Sequence, residues 1–355
     1  MRLGVEAAVI GGELVRGDVE VVDGAVVACA LHGPSRKGLA VPGFVDLHVN
    51  GFGGVDFLTA DAAGYGRAGE SLLESGVTAF QPTFICAPEE ALCAALAELA
   101  GAACGPRILG AHLEGPFLSP LRLGMHPVEH RRDPDPALLE RLLAAGPVRH
   151  VTLAPELAGA LELARLLLGR GVVVSLGHSD ASAEQARAAF DLGVSTVTHV
   201  FNAMRPIRSR DGGLAGAALA RPDVTVQMIV DGSHLASETA LLVWRAAAGR
   251  VALVTDAMEG AGLGDGRYRL GSVEVEMLDG VVRRDGVLAG SSLTMVAAVR
   301  NLHALGVPLL DAISAATSVP ARVARRADVG VLEPGGPADL VVLDDRLEIV
   351  RVLVA

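Results

Sequence analysis

Acidic and imidazole side chains recur in this sequence where apolar runs end. Asp46-Leu47-His48-Val49-Asn50 closes the first such run and His112-Leu113-Glu114 the third; Gly177-His178-Ser179 and Thr198-His199 close the fifth and sixth. Asp231-Gly232-Ser233-His234 follows the seventh, and Thr255-Asp256 ends the eighth. Six of the ten histidines, His48, His112, His126, His178, His199 and His234, lie at or just beyond these ends. Imidazole and carboxylate are the usual ligands of zinc and similar divalent ions, and a catalytic site keeps one coordination position open. Glu114, His178 and His199 make such a set. Asp256 would face it from another run, as the general base for a water activated by the ion.

Each residue also has a plain reading. A lone strand histidine is ordinarily a hydrogen-bonded core group, and an aspartate after a strand ordinarily caps a helix. The recurrence at run after run favours the metal site. His112 points the way Glu114 does, because residues two apart share a strand face; it reads as a support behind the ligands or as packing. His32, His130, His150 and His303 lack this context and read as surface or structural. Cys29, Cys86, Cys93 and Cys104 lie off these positions and read as core fillers. They form no CxxC pair and no disulfide-like spacing, which suits a reducing, cytoplasmic setting.

The elements that must hold these residues alternate. Short apolar runs at AVPGFVDLH, VTAFQPTF, RILGAHLE, HVTLAP, VVVSLGH, STVTHVFN, VTVQMIV and VALVTDA are followed by helical stretches such as PEEALCAALAELA and SAEQARAAFDL. That pattern predicts a parallel sheet, and eight units over roughly 250 residues predict a (β/α)8 TIM-like barrel with its chemistry at the C-terminal strand ends. A doubly wound open sheet is the alternative the alternation allows. Val-rich strands at both termini predict a small β-sandwich domain from residues 1–40 and 330–355, leaving 41–329 as the catalytic barrel. An inserted hairpin at 264–290 follows the eighth strand without a place that sequence assigns it.

Hydrophobic residues make up 51% of the 355, which is globular, and a formal net charge of −11 argues against a nucleic-acid binder. A small phosphorylated ligand needs only a few local cations. The N-terminus meets Glu6 at once and does not read as a signal peptide. No apolar run reaches the ~18–20 residues needed to span a bilayer, so no membrane partner is expected.

Together, PGFVDLHVNGFGGVDF, LGAHLEGPFLSPLRLGMH, TLAPE, LGHSDA, THVFNAM, DGGLAG, DGSH, LVTDAM, AGSSLTM and PADLVVLD cover nearly the whole chain. In this order the chain resembles the N-acetylglucosamine-6-phosphate deacetylases of the amidohydrolase superfamily. The resemblance implies that Glu114, His178 and His199 are the main metal ligands and Asp256 the catalytic aspartate. It implies that His126 contacts the substrate near the reacting amide and polarises it. Asn202, Ala203 and His234 would hold the sugar phosphate, and Arg210 would reach it from the neighbouring subunit of a homodimer. Many amidohydrolases carry His-x-His at the end of strand one and bind two metals, whereas some of these deacetylases carry Gln-x-Asn and bind one. His48-Val49-Asn50 is intermediate. One tightly held ion is expected, zinc first, with iron, manganese or cobalt accepting the same ligands; His48 is an extra ligand for a second, weaker site. The implied reaction is hydrolysis of the acetamide of a 6-phosphorylated 2-acetamido sugar. Rivals are deacetylation of another N-acyl sugar phosphate such as the galactosamine isomer, a cyclic-amide hydrolase or deaminase, and a non-catalytic scaffold. The last would have lost Asp256 or a metal ligand, and neither is missing.

Overall fold

The computed structural model describes residues 1–32 and 37–355; residues 33–36, inside the expected 1–40 segment, lie outside the described residues. Eight strands run parallel around a nearly closed barrel: β1 Phe44–Val49, β2 Val77–Phe84, β3 Ala111–Glu114, β4 Val148–Leu153, β5 Val173–Leu176, β6 Thr196–Val197, β7 Thr225–Met228 and β8 Val251–Leu253. Helices α1 Ala62–Glu74, α2 Glu89–Gly101, α3 Pro136–Ala145, α4 Ala160–Gly169, α5 Ala183–Asp191, α6 Gly213–Leu219, α7 Ser237–Ala246 and α8 Met295–Ala304 follow in turn. A strand covered on both faces has no polar side to show, and every residue of β2 is buried. The barrel, not an open sheet, is the outcome.

The seam between β8 and β1 closes just past the strand ends. Asp256 donates its N–H to the His48 carbonyl at 2.9 Å, and Asn50 donates its own to the Ala257 carbonyl at 2.7 Å. Below this, the buried Asp46 carboxylate takes the Thr255 hydroxyl at 2.6 Å. Two polar residues therefore hold β1 and β8 in register where His48 and Asp256 emerge.

Two expected strands are divided. AVPGFVDLH breaks at Gly43: Leu39–Pro42 joins the small sheet and Phe44 starts the barrel. A Cβ at Gly43 would stand 2.0 Å from the Thr78 hydroxyl, so only glycine lets the chain pass. RILGAHLE breaks at Gly110, whose φ of 92° reorients the chain before β3.

Strands from both termini pair in one five-stranded sheet, in the order Glu13–Arg16, Ala7–Ile10, Leu39–Pro42, Leu340–Leu343, Ile349–Leu353. The hairpin Asp18–Val22 with Ala25–Leu31 packs Val19, Val21 and Val26 against Ala8, Ala40, Leu340 and Val342 of that sheet. The insertion is a four-stranded antiparallel meander over Gly266–Leu288. Leu270, Val275, Met277 and Val282 cluster with Ile85 and Met258, which seats it beside the barrel mouth. Among the described residues no helix is long and apolar enough to cross a membrane.

Candidate metal centre

At the mouth, several residues leave the barrel through left-handed backbone: φ is 47° at His178, 29° at His199, 50° at Ala203 and 52° at Asp256. Non-glycine residues there carry strain that persists only when surroundings over-determine it, and such strain clusters at working sites. All four of these residues line one cavity at this mouth.

Glu114 is the centre. Four imidazoles surround its buried carboxylate: His199 Nε2 at 2.8 Å and His178 Nε2 at 3.1 Å from Oε1, His126 Nε2 at 3.2 Å and His48 Nε2 at 3.5 Å from Oε2. Burial opposes ionisation of Glu114, yet the imidazoles hold its carboxyl well below the usual range. Glu114, His178 and His199 each offer a ligand atom within 4.8 Å of the others.

The hydrogen bonds decide what these atoms can do. The Arg122 carbonyl accepts from His178 Nδ1 at 2.9 Å, which leaves the neutral ring's Nε2 with a lone pair. That atom faces His199 Nε2 at 3.1 Å, and both face one carboxylate oxygen. Lone pairs converging in a buried place need a cation between them, so the donor set fits a divalent ion. His48 is fully buried with no hydrogen bond at either ring nitrogen among the described residues.

Asp256 stands beside this cluster. Its Oδ1 accepts from Asn50 Nδ2 at 2.7 Å and lies 3.1 Å from His48 Nε2. Burial opposes its ionisation, but the His48 charge holds its carboxyl below the ordinary value. It caps no helix, since α8 is capped by Thr294. His126 Nδ1 accepts the Cys86 N–H at 3.3 Å, so in the neutral ring the proton sits on Nε2, which points to Glu114. Across the cavity, His234 is bound by Asp231 at 2.7 Å; burial resists its protonation, and Asp231 raises its pKa nonetheless.

One cavity of about 120 Å³ collects Glu114, His126, His178, His199, Asp256, Asn202, Ala203 and His234. His48 lies behind it. Arg210 does not line this cavity; it is exposed on the turn closed by the Arg208 N–H to Asp211 carbonyl bond of 2.8 Å. Sequence reasoning gave no role to Asn50, although it sits in a quoted motif. It also missed the apolar wall of Ile85, Met125, Leu270 and Leu288, because an apolar residue carries no chemical signature. The cysteines pack as expected: Cys86 is buried, and Cys29, Cys93 and Cys104 are partly buried against the hydrophobic clusters; Cys86 also touches the site through its backbone N–H. His112 makes no bond to Glu114; its ring bonds Thr83 at 3.1 Å and Thr152 at 2.8 Å and stacks on His150 in a polar layer beneath the ligands.

The amidohydrolase family model matches residues 39–354. The N-acetylgalactosamine-6-phosphate deacetylase of Escherichia coli O157:H7 is 39% identical, over 88% of this chain and 86% of its own. The N-acetylglucosamine-6-phosphate deacetylase of Homo sapiens is 38% identical, over 88% of this chain and 81% of its own. A solved mutant of N-acetyl-D-glucosamine-6-phosphate deacetylase from Mycobacterium smegmatis, in complex with N-acetyl-D-glucosamine-6-phosphate, superposes with a TM-score of 0.93 at 39% identity, covering 99% of this chain and 97% of that one. A metal-compatible Glu-His-His centre at the mouth of a parallel barrel, with relatives of this kind over most of its length, leaves one assignment: the chain belongs to the amidohydrolase family.

Proposed function

We propose that this protein hydrolyses the acetamide of N-acetylglucosamine-6-phosphate, giving glucosamine-6-phosphate and acetate. The observation that carries the reading is one cavity lined both by Asp256, Glu114, His178 and His199 and by Asn202, Ala203 and His234. Glu114, His178 and His199 would hold one divalent ion, zinc in the first instance, and His48 would serve a second, weaker one. When bound, such an ion supplies Lewis acidity toward water and the amide carbonyl.

The remaining work falls to the chain. Both contacts to Asp256 fall on Oδ1, so Oδ2 is the oxygen that takes a proton from the attacking water. The water oxygen bonds to the acyl carbon as this proton leaves. His126 would turn its Nε2 proton from Glu114 to the carbonyl oxygen as negative charge builds there, as a donor in an oxyanion hole does. Asp256 then delivers its proton to the departing nitrogen as the C–N bond breaks. His234, inclined to carry charge by Asp231, and Asn202 receive the phosphate.

Arg210 would complete the phosphate site from a second subunit, since a guanidinium grips phosphate through paired hydrogen bonds. Its exposed turn beside the half-exposed Ile207, with Leu121 72% and Val128 68% exposed on loops of the same mouth, supports a homodimer face there. Residues 41–329 carry the chemistry, and 1–40 with 330–355 form the supporting β domain, in a cytoplasmic protein. The 39% match to a galactosamine-6-phosphate deacetylase favours the isomer as a second substrate. Acetate and ammonia release from both isomers, with elemental analysis of the purified protein, tests the reading. Acetate with bound metal is expected; ammonia release, or no acetate from either isomer, would overturn it.

A further inference from the structure

The loops that carry His178 and Asn202 are tied by an ionic chain that lies outside the reacting groups. Asp180 follows His178 by two residues. Its Oδ1 accepts from Arg122 Nε at 2.8 Å and from Arg122 Nη2 at 2.6 Å, and its Oδ2 accepts from Arg205 Nη2 at 3.0 Å. Arg205 Nη1 donates onward to Asp211 Oδ2 at 2.9 Å, and Asp211 Oδ1 accepts the N–H groups of Ala183 and Gly213, each at 3.0 Å. The backbone runs parallel to this chain: Arg205 N–H donates to the Ser179 carbonyl, and Ser179 N–H to the Ala203 carbonyl, each at 3.0 Å.

Two arms meet at Asp180. On one, Arg122 offers the carbonyl that fixes the proton on His178 Nδ1. Arg122, Asp180 and the short chain back to His178 thus form a closed ring, which aims Nε2 at Glu114. On the other, Arg205 lies two residues past Ala203, and its partner Asp211 adjoins Arg210. A metal ligand's outer hydrogen bond sets its tautomer and orientation; here one carboxylate sets that bond and also holds the loop assigned to the phosphate.

We infer that Asp180 is a positioning residue that couples the metal-ligand loop, through Arg122, to the phosphate-side loop, through Arg205. This rests on the metal and substrate reading above. Three variants separate the arms: Asp180→Asn, Arg122→Gln and Arg205→Gln. Zinc retention is read as loss from the holoenzyme to a chromogenic chelator, and KM and kcat are read with N-acetylglucosamine-6-phosphate. Asp180→Asn should weaken zinc retention about tenfold and also raise KM several-fold. Arg122→Gln should weaken zinc retention and leave KM in place, and Arg205→Gln should do the reverse. Unchanged zinc retention and KM in Asp180→Asn would overturn the inference. So would the two arginine variants moving both quantities together, as general loosening does. Should Asp180→Asn not fold, the arginine pair decides. Should the parent release no acetate, the substrate reading fails by itself, and the contrast in zinc retention between Arg122→Gln and Arg205→Gln still decides the metal arm.

Discussion

In the proposed reaction Asp256 concentrates the chemistry because two neighbours and its own backbone specify its state. Asn50 donates to Oδ1, His48 faces the same oxygen, and its own left-handed backbone turns it toward Glu114. Asp256→Asn keeps the shape and the partner at Asn50 while removing the proton acceptor. Turnover should fall by about 10²–10⁴ with metal content unchanged, as acetate release beside elemental analysis would show. Near-normal turnover would take Asp256 out of its role. The types and run-end positions of Glu114, His178, His199 and Asp256 are legible in sequence, since each sits where a strand must end. Asn50 and Arg122 are not. One acts by a bond across 206 residues, the other through its backbone carbonyl, and a carbonyl is the same on every residue.

Among the elements, the eight strands could be read because a twice-covered strand carries apolar residues on both faces, with only scattered polar ones among them. The break at Gly43 could not, since the atom that forbids a side chain there belongs to Thr78 on β2. Nor could the seat of the Gly266–Leu288 meander, which depends on Ile85 and Met258 waiting beside the mouth. Asp56 fastens it: its buried carboxylate accepts the Gly271 N–H at 2.6 Å and the Leu58 N–H at 2.9 Å. Burial outweighs both donors and pushes its pKa from 3.8 up to about 6. The folded protein therefore holds this proton more tightly than the unfolded chain does. The resulting stability is fully present below 3.8 and is lost as pH rises through about 6; its full size is on the order of 3 kcal/mol. Relative to Asp56→Asn, the parent should lose Tm between these limits and run parallel to it above them. A difference that stays flat with pH would mean that burial does not outweigh the two N–H donors at Asp56.

For the whole molecule, the open question is how an acidic chain collects enough positive charge for a phosphate. With a net charge of −11, attraction must be local. In the proposed reading His234, which lines the cavity, supplies one group, and Arg210 stands outside it on its own chain. A two-fold dimer would make each subunit's Arg210 part of the other's site, since a symmetric interface repeats every contact. Arg210→Ala should then raise KM for the phosphorylated sugar far more than for its unphosphorylated counterpart. Equal effects would mean that it reads no phosphate. Subunit exchange tells the two placements apart. Arg210→Ala and Asp256→Asn are each impaired alone at substrate concentrations below KM. In a mixed dimer, the subunit with Ala at 210 keeps its own Asp256 and borrows Arg210 from its partner. Random mixing makes half the dimers mixed, with one whole site in each, so about a quarter of full activity should return. If Arg210 serves its own chain, no mixed dimer holds a whole site, and activity stays at the average of the two variants.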